Sequence, residues 1–247
     1  MLVSALITEV RTDYLDDTLG VDTNDALVSE ASLLRFTDEA EEQSCRRMDL
    51  LYDETTASVC AITIADGTKA YAIDSRITKL ERVSWNGIDL PKKHESEYSG
   101  TSWRETEGEP TSYYVKQRSI YLHPTPDADA VSEDNALALA VFRTPETSIT
   151  ADTDTPEIPA EFHRDLINWV LYRVYNLRDE DLFDPAKASY YLSAFTNSFG
   201  PEVPADVRQH QFESPRTQVL RPKTGYQFTN QSEADPDFSS TGWDNAS

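Results

Sequence analysis

The sequence is short of the residues from which most catalytic sites are built. Its eight glycines are too few for most phosphate-binding loops, and it has no G-x-S-x-G, H-E-x-x-H or C-x-x-C motif. The four histidines fall in separate predicted elements, which are a loop, a strand end, a helix and the tail: His94, His123, His163 and His210. We therefore predict a protein that is not an enzyme and that holds no cofactor.

Metal ligands are equally sparse. Cys45 and Cys60 have no ligand spacing, and we predict that both are free, buried thiols. Glu161, His163 and Asp165 share one helix start, but positions i and i+2 of a helix do not face each other. No metal site is predicted there. The carboxylate-rich stretch from residue 13 to 25 lacks the ligand order of an EF-hand, so a solvated loop is favoured over a calcium site.

Long apolar runs are also missing. No stretch approaches the roughly 18 apolar residues that cross a bilayer, and Met1-Leu2-Val3 leads into polar residues rather than a signal-peptide core. We predict a soluble protein that is made in a cytoplasm and does not bind membranes.

Basic residues are scarce relative to acidic ones. There are 44 Asp and Glu against 22 Lys and Arg, giving a net charge of −22, and only seven of the basic residues are lysine. Such a surface repels nucleic acid and anionic membranes. It suits a protein that lets DNA slip past without binding it, and it equally suits a protein adapted to a salty environment, where charges are screened.

The clearest helical pattern runs from Glu157 to Gly200. Apolar residues at three- and four-residue spacing predict a helix of about five turns beginning at Pro159. Asp184-Pro185 is a helix-start signal, with Asp as N-cap, and it predicts a second helix that Gly200 ends. Neither helix can bury its apolar stripe alone, so each needs a partner from elsewhere in the chain.

The N-terminus supplies the strongest candidates for that partner. A first helix is predicted over Leu2 to Tyr14, and a second from Ser29 or Ser32 to about Tyr52. We therefore expect the first and last parts of the fold to close on each other, with the middle segment inserted between them.

The middle segment has the period of β-strands. Val59 to Ile73 predicts a β-hairpin, and a strand from Ile77 to Trp85 ends at the tight-turn signal Asn86-Gly87. Ala136 to Arg143 is nearly all apolar, as a central strand buried on both faces would be. The other strands are predicted at Ile88 to Leu90, Ser112 to Lys116 and Ser119 to His123.

The predicted fold class is α+β: a helical bundle of N- and C-terminal helix pairs, with an inserted antiparallel β-rich domain and an extended C-terminal arm. We place the N-terminal helices at 1–54, the β-rich insertion at 55–150, the C-terminal helix pair at 151–200 and the arm at 201–247. Prolines and single aromatics punctuate the last segment without any helical or strand period. This composition suits an arm that lies on a neighbouring chain, or else a disordered tail.

The order of motifs along residues 1 to 200 resembles the head-to-tail adaptor proteins of tailed viruses. The motifs are Arg46-Arg47-Met48-Asp49, a hairpin at Ala61 to Ile73, Ile77 to Trp85 with Asn86-Gly87, Gly108 to Tyr113, Ile120 to Pro126, and Ile158 to Tyr175. They are structural rather than catalytic, and their order carries the resemblance.

The resemblance implies a virion protein of the neck, assembled in the host cytoplasm. Members of that family bind under the portal as a dodecameric ring, dock the tail and let double-stranded DNA pass through the lumen. The tail aromatics are then expected to be partner anchors: Phe212, Tyr226, Phe228 and Trp243.

Two alternatives stay open at this point. One is another neck or tail-completion protein. The other is a saccharide-binding module that uses aromatic residues of the β-insertion, although core packing would also explain those residues: Tyr98, Trp103, Tyr113 and Tyr114.

Overall fold

A computed structural model of the chain describes residues 1–17, 26–98, 105–178 and 182–214. Within these ranges the protein is α+β, with seven α-helices and two antiparallel sheets. The helices are α1 (Val3–Glu9), α2 (Glu30–Arg47), α3 (Ala57–Cys60), α4 (Ala128–Glu133), α5 (Leu166–Tyr175), α6 (Pro185–Phe199) and α7 (Ala205–Glu213). The strands are β1 (Leu51–Asp53), β2 (Ala61–Thr63), β3 (Ala70–Ala72), β4 (Ile77–Trp85), β5 (Ile88–Asp89), β6 (Ser112–Lys116), β7 (Ser119–His123) and β8 (Ala136–Arg143).

The N-terminal helices are found where the sequence predicts them, with one wrong boundary. α1 continues through a π-helical turn to Tyr14. Ser29 caps α2, because its hydroxyl oxygen accepts a hydrogen bond from the backbone N–H of Ser32 at 3.3 Å. The predicted end near Tyr52 is wrong: α2 ends at Arg47, because Met48 is extended and Leu51–Asp53 pairs with β8 instead.

The C-terminal helix pair is confirmed, but its first helix is shorter than predicted. Ala160–Phe162 forms a 3-10 turn, and the α-helix begins only at Leu166, so the five-turn prediction is wrong. α6 begins as predicted: the Asp184 carboxylate accepts hydrogen bonds from two backbone N–H groups of the first turn. Gly200 ends it at a φ of 86°, which favours glycine.

One apolar core joins helices from both ends of the chain. Most of its buried members come from α1, α2, α5 and α6, and they include Val3, Leu6, Leu33, Phe36, Leu166, Val170, Val174, Phe195 and Phe199. Arg47 ties α2 to the end of α6. Its guanidinium donates to the Gly200 carbonyl at 3.3 Å and lies 5.0 Å from the centre of the Phe195 ring. We call the apolar core that these helices share the helical core.

β8 is the central strand of the larger sheet, as its apolar sequence predicts. It pairs with β4 on one side and with β1 and β2 on the other. β4 and β5 form the predicted hairpin, in which Asn86 and Gly87 take φ values of 48° and 73°, as a tight two-residue turn requires. The smaller sheet has the order β3-β7-β6.

The predicted hairpin from Val59 to Ile73 is wrong. Its first part forms α3 and β2, and β2 pairs with β8, whereas β3 pairs with β7 in the other sheet. Each strand has only three residues, and each pairs along its whole length with a longer strand of its own sheet. The turn between them is fixed by the Tyr71 hydroxyl, which donates to the Thr68 carbonyl at 2.7 Å.

A second apolar core lies between the sheets, and we call it the sheet core. Its buried members include Val59, Ile64, Ile77, Val83, Trp85, Tyr113, Ile120, Leu137, Leu139 and Val141. All its buried members but one come from residues 59–141; the exception is Phe212 of α7. Among the described helices, none is long and apolar enough to cross a membrane.

Candidate functional site

Arg143, the last residue of β8, forms the best-defined ion cluster of the described residues. Its Nε donates to the Asp53 carboxylate at 2.6 Å, and its Nη1 donates to the Glu157 carboxylate at 2.8 Å. The side chains of Arg143 and Asp53 are only 12% and 6% exposed. The cluster therefore joins β1 and β8 of the sheet to the segment that leads into α5.

The Asp53 carboxylate is held in its charged form. Burial alone would raise its pKa, but hydrogen bonds from the backbone and hydroxyls of Thr55 and Thr56 and from Arg143 outweigh burial and lower the pKa below its ordinary value. Glu157 behaves similarly, since Arg143 and the N–H groups of Glu146 and Thr147 lower its pKa against burial. Two fixed anions and one cation make a structural cluster rather than an acid–base pair.

Two acidic residues of α2 bind the segment between β8 and α5, which we call the connector. The Asp38 carboxylate accepts from the Ile149 N–H at 2.8 Å, and the Glu41 carboxylate accepts from the Ile158 N–H at 3.1 Å. Glu41 is 1% exposed, and burial raises its pKa to about 7, against the lowering effect of the Ile158 N–H; the charges of Glu157 and Asp38 raise it further. Both carboxylates therefore accept hydrogen bonds from backbone N–H groups of their own chain.

The segment after Gly200 is helical at first, which the sequence reading missed. α7 covers residues 205–213, and it has little amphipathic pattern because Phe212 is its one buried residue. Phe212 is 4% exposed and belongs to the sheet core. The absence of a helical period was therefore an insufficient reason to predict an extended chain from residue 201.

Three contacts hold α7 at the β6–β7 turn. Lys92 Nζ donates to the Phe212 carbonyl at 2.6 Å, and the Arg118 guanidinium lies 4.7 Å from the centre of the Phe212 ring. The Gln117 N–H donates to the Glu213 carboxylate at 3.3 Å. Burial lowers the pKa of Lys92 to about 8.

The four predicted anchors of the tail thus have different outcomes. Phe212 packs inside its own chain and anchors α7. Tyr226, Phe228 and Trp243 lie outside the described residues, so their role stays a prediction.

The aromatic residues that suggested saccharide binding offer little open surface. Tyr113 is 2% exposed and lies in the sheet core, and Tyr114 is 7% exposed and stacks on Tyr121 with ring centres 4.8 Å apart. Tyr98 packs edge-on against His123 at 4.7 Å. A cleft of about 330 Å³ lies beside Tyr114 and Tyr121, while Trp103 lies outside the described residues. Core packing accounts for Tyr113, whereas Tyr114 is mostly buried by its contact with Tyr121 at the edge of this cleft.

The two cysteines are found as the sequence predicts. Cys45 and Cys60 are free and buried, as predicted. His163 is 2% exposed; its Nε2 lies 2.7 Å from the Ile158 carbonyl and its Nδ1 lies 2.8 Å from the Met1 amine. Across the described ranges, no three His, Cys, Asp or Glu side chains are grouped as a metal site. The acidic loop of residues 13–25 lies mostly outside those ranges.

The sequence patterns did not identify the buried charges Glu41 and Asp53 or their partly buried neighbours Arg143 and Glu157. A signal was present for two of them. Arg143 ends a strand of seven apolar residues, and Glu41 falls among the apolar positions of α2, next to Ala40 and four residues before Cys45. A charged residue in an apolar stripe needs a buried partner.

Together these features define an α+β protein in which the described charged clusters bind other parts of the same chain. The chain belongs to the SU10 adaptor protein family, whose family model matches residues 1–219. This is a family of phage head-to-tail adaptors, and its match confirms the resemblance that the order of motifs indicated. The matched range contains the helical core, both sheets and α7. No curated protein matches the chain.

Proposed function

We propose that this protein forms a dodecameric ring beneath the portal of a tailed phage, extends the DNA channel and docks the tail. The observation that carries the proposal is the match of residues 1–219 to a phage head-to-tail adaptor family. Phage adaptors are structural proteins of the virion neck, where they meet portal and tail proteins. Each subunit would then have a body, made of a helix bundle with a β-rich insertion, and an arm that follows α7. Assembly would take place in the host cytoplasm.

The net charge of −22 supports a channel that does not hold DNA. DNA carries about one negative charge per 1.7 Å of its axis, so an acidic lumen repels it along its whole length. The same acidity also suits a salt-loving host. Molar salt separates these explanations, because a protein adapted to salt gains thermal stability from screening and its melting temperature rises.

The arm is proposed to bind the portal through Tyr226, Phe228 and Trp243. Aromatic side chains spaced along an extended segment can each fill a pocket of a partner, and aromatic anchors dominate most interfaces. α7 fixes where the arm begins, because Phe212 and Glu213 are bound at the β6–β7 turn.

The mass of the purified protein, alone and mixed with the cognate portal ring, tests this function. We expect about twelve copies on each portal ring. A protein that stays monomeric and indifferent to the portal, in both low and molar salt, would overturn the proposal.

Two truncations test the arm separately. Ending the chain after Ser214 removes only residues 215–247 and leaves the Phe212 anchor in place. We expect this variant to melt as the full chain does and to lose portal binding. Ending it after Gly200 also removes α7 and uncovers the sheet core, so that variant serves as the control for general destabilisation. Full portal binding by the variant that ends at Ser214 would exclude the arm as the anchor.

A further inference from the structure

The outward side of α6 carries almost no charge. α6 has fifteen residues, and Lys187 in its first turn is the one charged residue among them. In the whole chain 27% of the residues are charged. Beyond the first turn, the fully exposed positions of α6 are Ser189, Tyr190, Ser193 and Asn197. We call these four residues, with Phe183 just before the helix, the α6 face.

Two large side chains of the α6 face are exposed to solvent. Tyr190 is 67% exposed and Phe183 is 53% exposed. Tyr190 stands edge-on against Tyr191, with ring centres 5.2 Å apart, and Tyr191 in turn stacks on Tyr175 at 5.7 Å. Tyr191 therefore restricts the exposed ring of Tyr190. A ring that is already restricted loses little conformational freedom when a partner covers it.

The charge of the chain indicates what covers this face. Two copies, each with a net charge of −22, repel each other, and contact through an average part of their surface would desolvate carboxylates on both sides. None of the five residues of the α6 face has a carboxylate, and the carboxylate of Asp184 at its edge already accepts hydrogen bonds from the Ala186 and Lys187 N–H groups. Interface centres are also depleted of charged residues and enriched in tyrosine.

We propose that the α6 face is where one copy of this chain contacts the next. This inference rests on the ring proposed above and assigns a surface to its subunit contact. A ring closes through heterologous contacts, so the α6 face meets a different surface of the neighbouring copy.

Placing a charge on the α6 face tests the proposal. Tyr190→Glu adds a carboxylate at the centre of the face, and Ile88→Glu is the matched control, since Ile88 is 64% exposed and is the first residue of β5. Both substitutions are on the surface, so both variants should melt within a few degrees of the wild type. We expect Tyr190→Glu to weaken association between copies at least about tenfold, as loss of an aromatic anchor does, and Ile88→Glu to leave it unchanged.

Native mass spectrometry at a low ratio of adaptor to portal separates a contact between copies from a contact with the portal. If the α6 face joins copies, wild-type protein fills some portal rings completely, whereas Tyr190→Glu binds as scattered single copies. Complete rings formed by Tyr190→Glu would overturn the inference. Loss of even single-copy binding would assign the face to the portal and would also overturn it. Failure of the wild type to bind any portal would instead reject the proposed function.

A cross-link identifies the neighbour directly. A benzophenone-bearing phenylalanine in place of Tyr190 reacts on illumination with whatever covers the ring. We expect a covalent dimer of two adaptor chains, mapped by digestion to a region other than α6. A product with the portal, or one within a single chain to residues 215–247, would contradict the proposal.

Discussion

The helical core and the sheet core are filled by different parts of the sequence. The helical core takes its buried residues from 3–45 and from 149–199, so neither end of the chain can build it alone. The sheet core comes from one continuous stretch, residues 59–141, with Phe212 as its single buried residue from beyond that stretch. The two cores meet at the Arg143 cluster.

The two cores therefore depend on the rest of the chain to different extents. The helical core depends on contacts between distant residues, and such contacts contribute only after the intervening loop has closed. The sheet core is built from residues that are close in sequence, and the segment after Gly200 adds one aromatic side chain to it. A buried aromatic residue should accordingly matter more in the helical core than at the tail contact.

The largest effect is expected in the helical core. Phe195 is fully buried between Trp169 and Phe199, with ring centres 5.1 and 4.6 Å away. Phe195→Ala should lower the free energy of unfolding by about 4 kcal/mol, because it removes a large apolar side chain and leaves a cavity. Urea unfolding measures this, with the exposed Phe183→Ala as control. A loss below about 1 kcal/mol would mean that the helical core is not the main source of stability.

The next largest effect is expected at the junction of the cores. Arg143→Met leaves the buried carboxylate of Asp53 and the partly buried carboxylate of Glu157 without their cation, and breaking such a buried pair destabilises by about 3 kcal/mol. Arg82→Met is the control, because Arg82 pairs with Glu54 on the surface, where both side chains are about half exposed. If the two variants unfold alike in urea, the Arg143 cluster does not couple the cores.

The sequence predicted the helical core better than the sheets, for a physical reason. Helix ends carry local signals, such as Asp184-Pro185 and Gly200, and those predictions are confirmed. Strand partners carry no local signal when the strands are three residues long. β2 and β3 were therefore assigned to each other, although each joins a longer strand of a different sheet.

The candidate site was less predictable than the fold. An aromatic residue in a polar tail has the same local sequence whether it binds a partner or its own chain, so the sequence did not show that Phe212 packs in the sheet core. The buried charges of the Arg143 cluster are brought together from positions 53, 143 and 157 by strand pairing, which no local pattern shows. The uncharged face of α6 was visible in the sequence, but its exposure required the structure.

A pH-dependent effect of similar size is expected at Glu41, which links the helical core to the connector. Its pKa rises from 4.5 to about 7 on folding, so the folded state holds its proton while the unfolded state releases it. Glu41 therefore contributes its full stability below about pH 4.5 and loses it as pH rises through 7, a loss on the order of 3 kcal/mol.

Glu41→Gln removes the titrating group, so the variant should not lose this stability as the pH rises. The amide oxygen still accepts from the Ile158 N–H, but the side chain does not titrate. We expect the variant to gain stability relative to the wild type between pH 4.5 and 7, and urea unfolding at pH 5 and pH 8 measures the gain. Glu157 titrates in both proteins, so its effect largely cancels in the difference. Glu42→Gln, at a more exposed position paired with Arg46, is the control. A constant difference between the two pH values would show that Glu41 ionises normally.

The smallest effect on global stability is expected at Phe212, although it is buried almost as fully as Phe195. The main contacts of α7 are with β6 and β4. In Phe212→Ala, α7 can therefore detach while both cores stay folded, which limits the loss of global stability. We expect a loss of no more than about 1–2 kcal/mol in urea, together with much faster proteolysis and hydrogen exchange in residues 201–214. His210→Ala, on the exposed side of the same helix, should change neither. A loss as large as that of Phe195→Ala would instead show that α7 is an integral part of the sheet core. The arm would then begin on a rigid element of the body, and a partner that pulled on it could not detach α7 without unfolding both sheets.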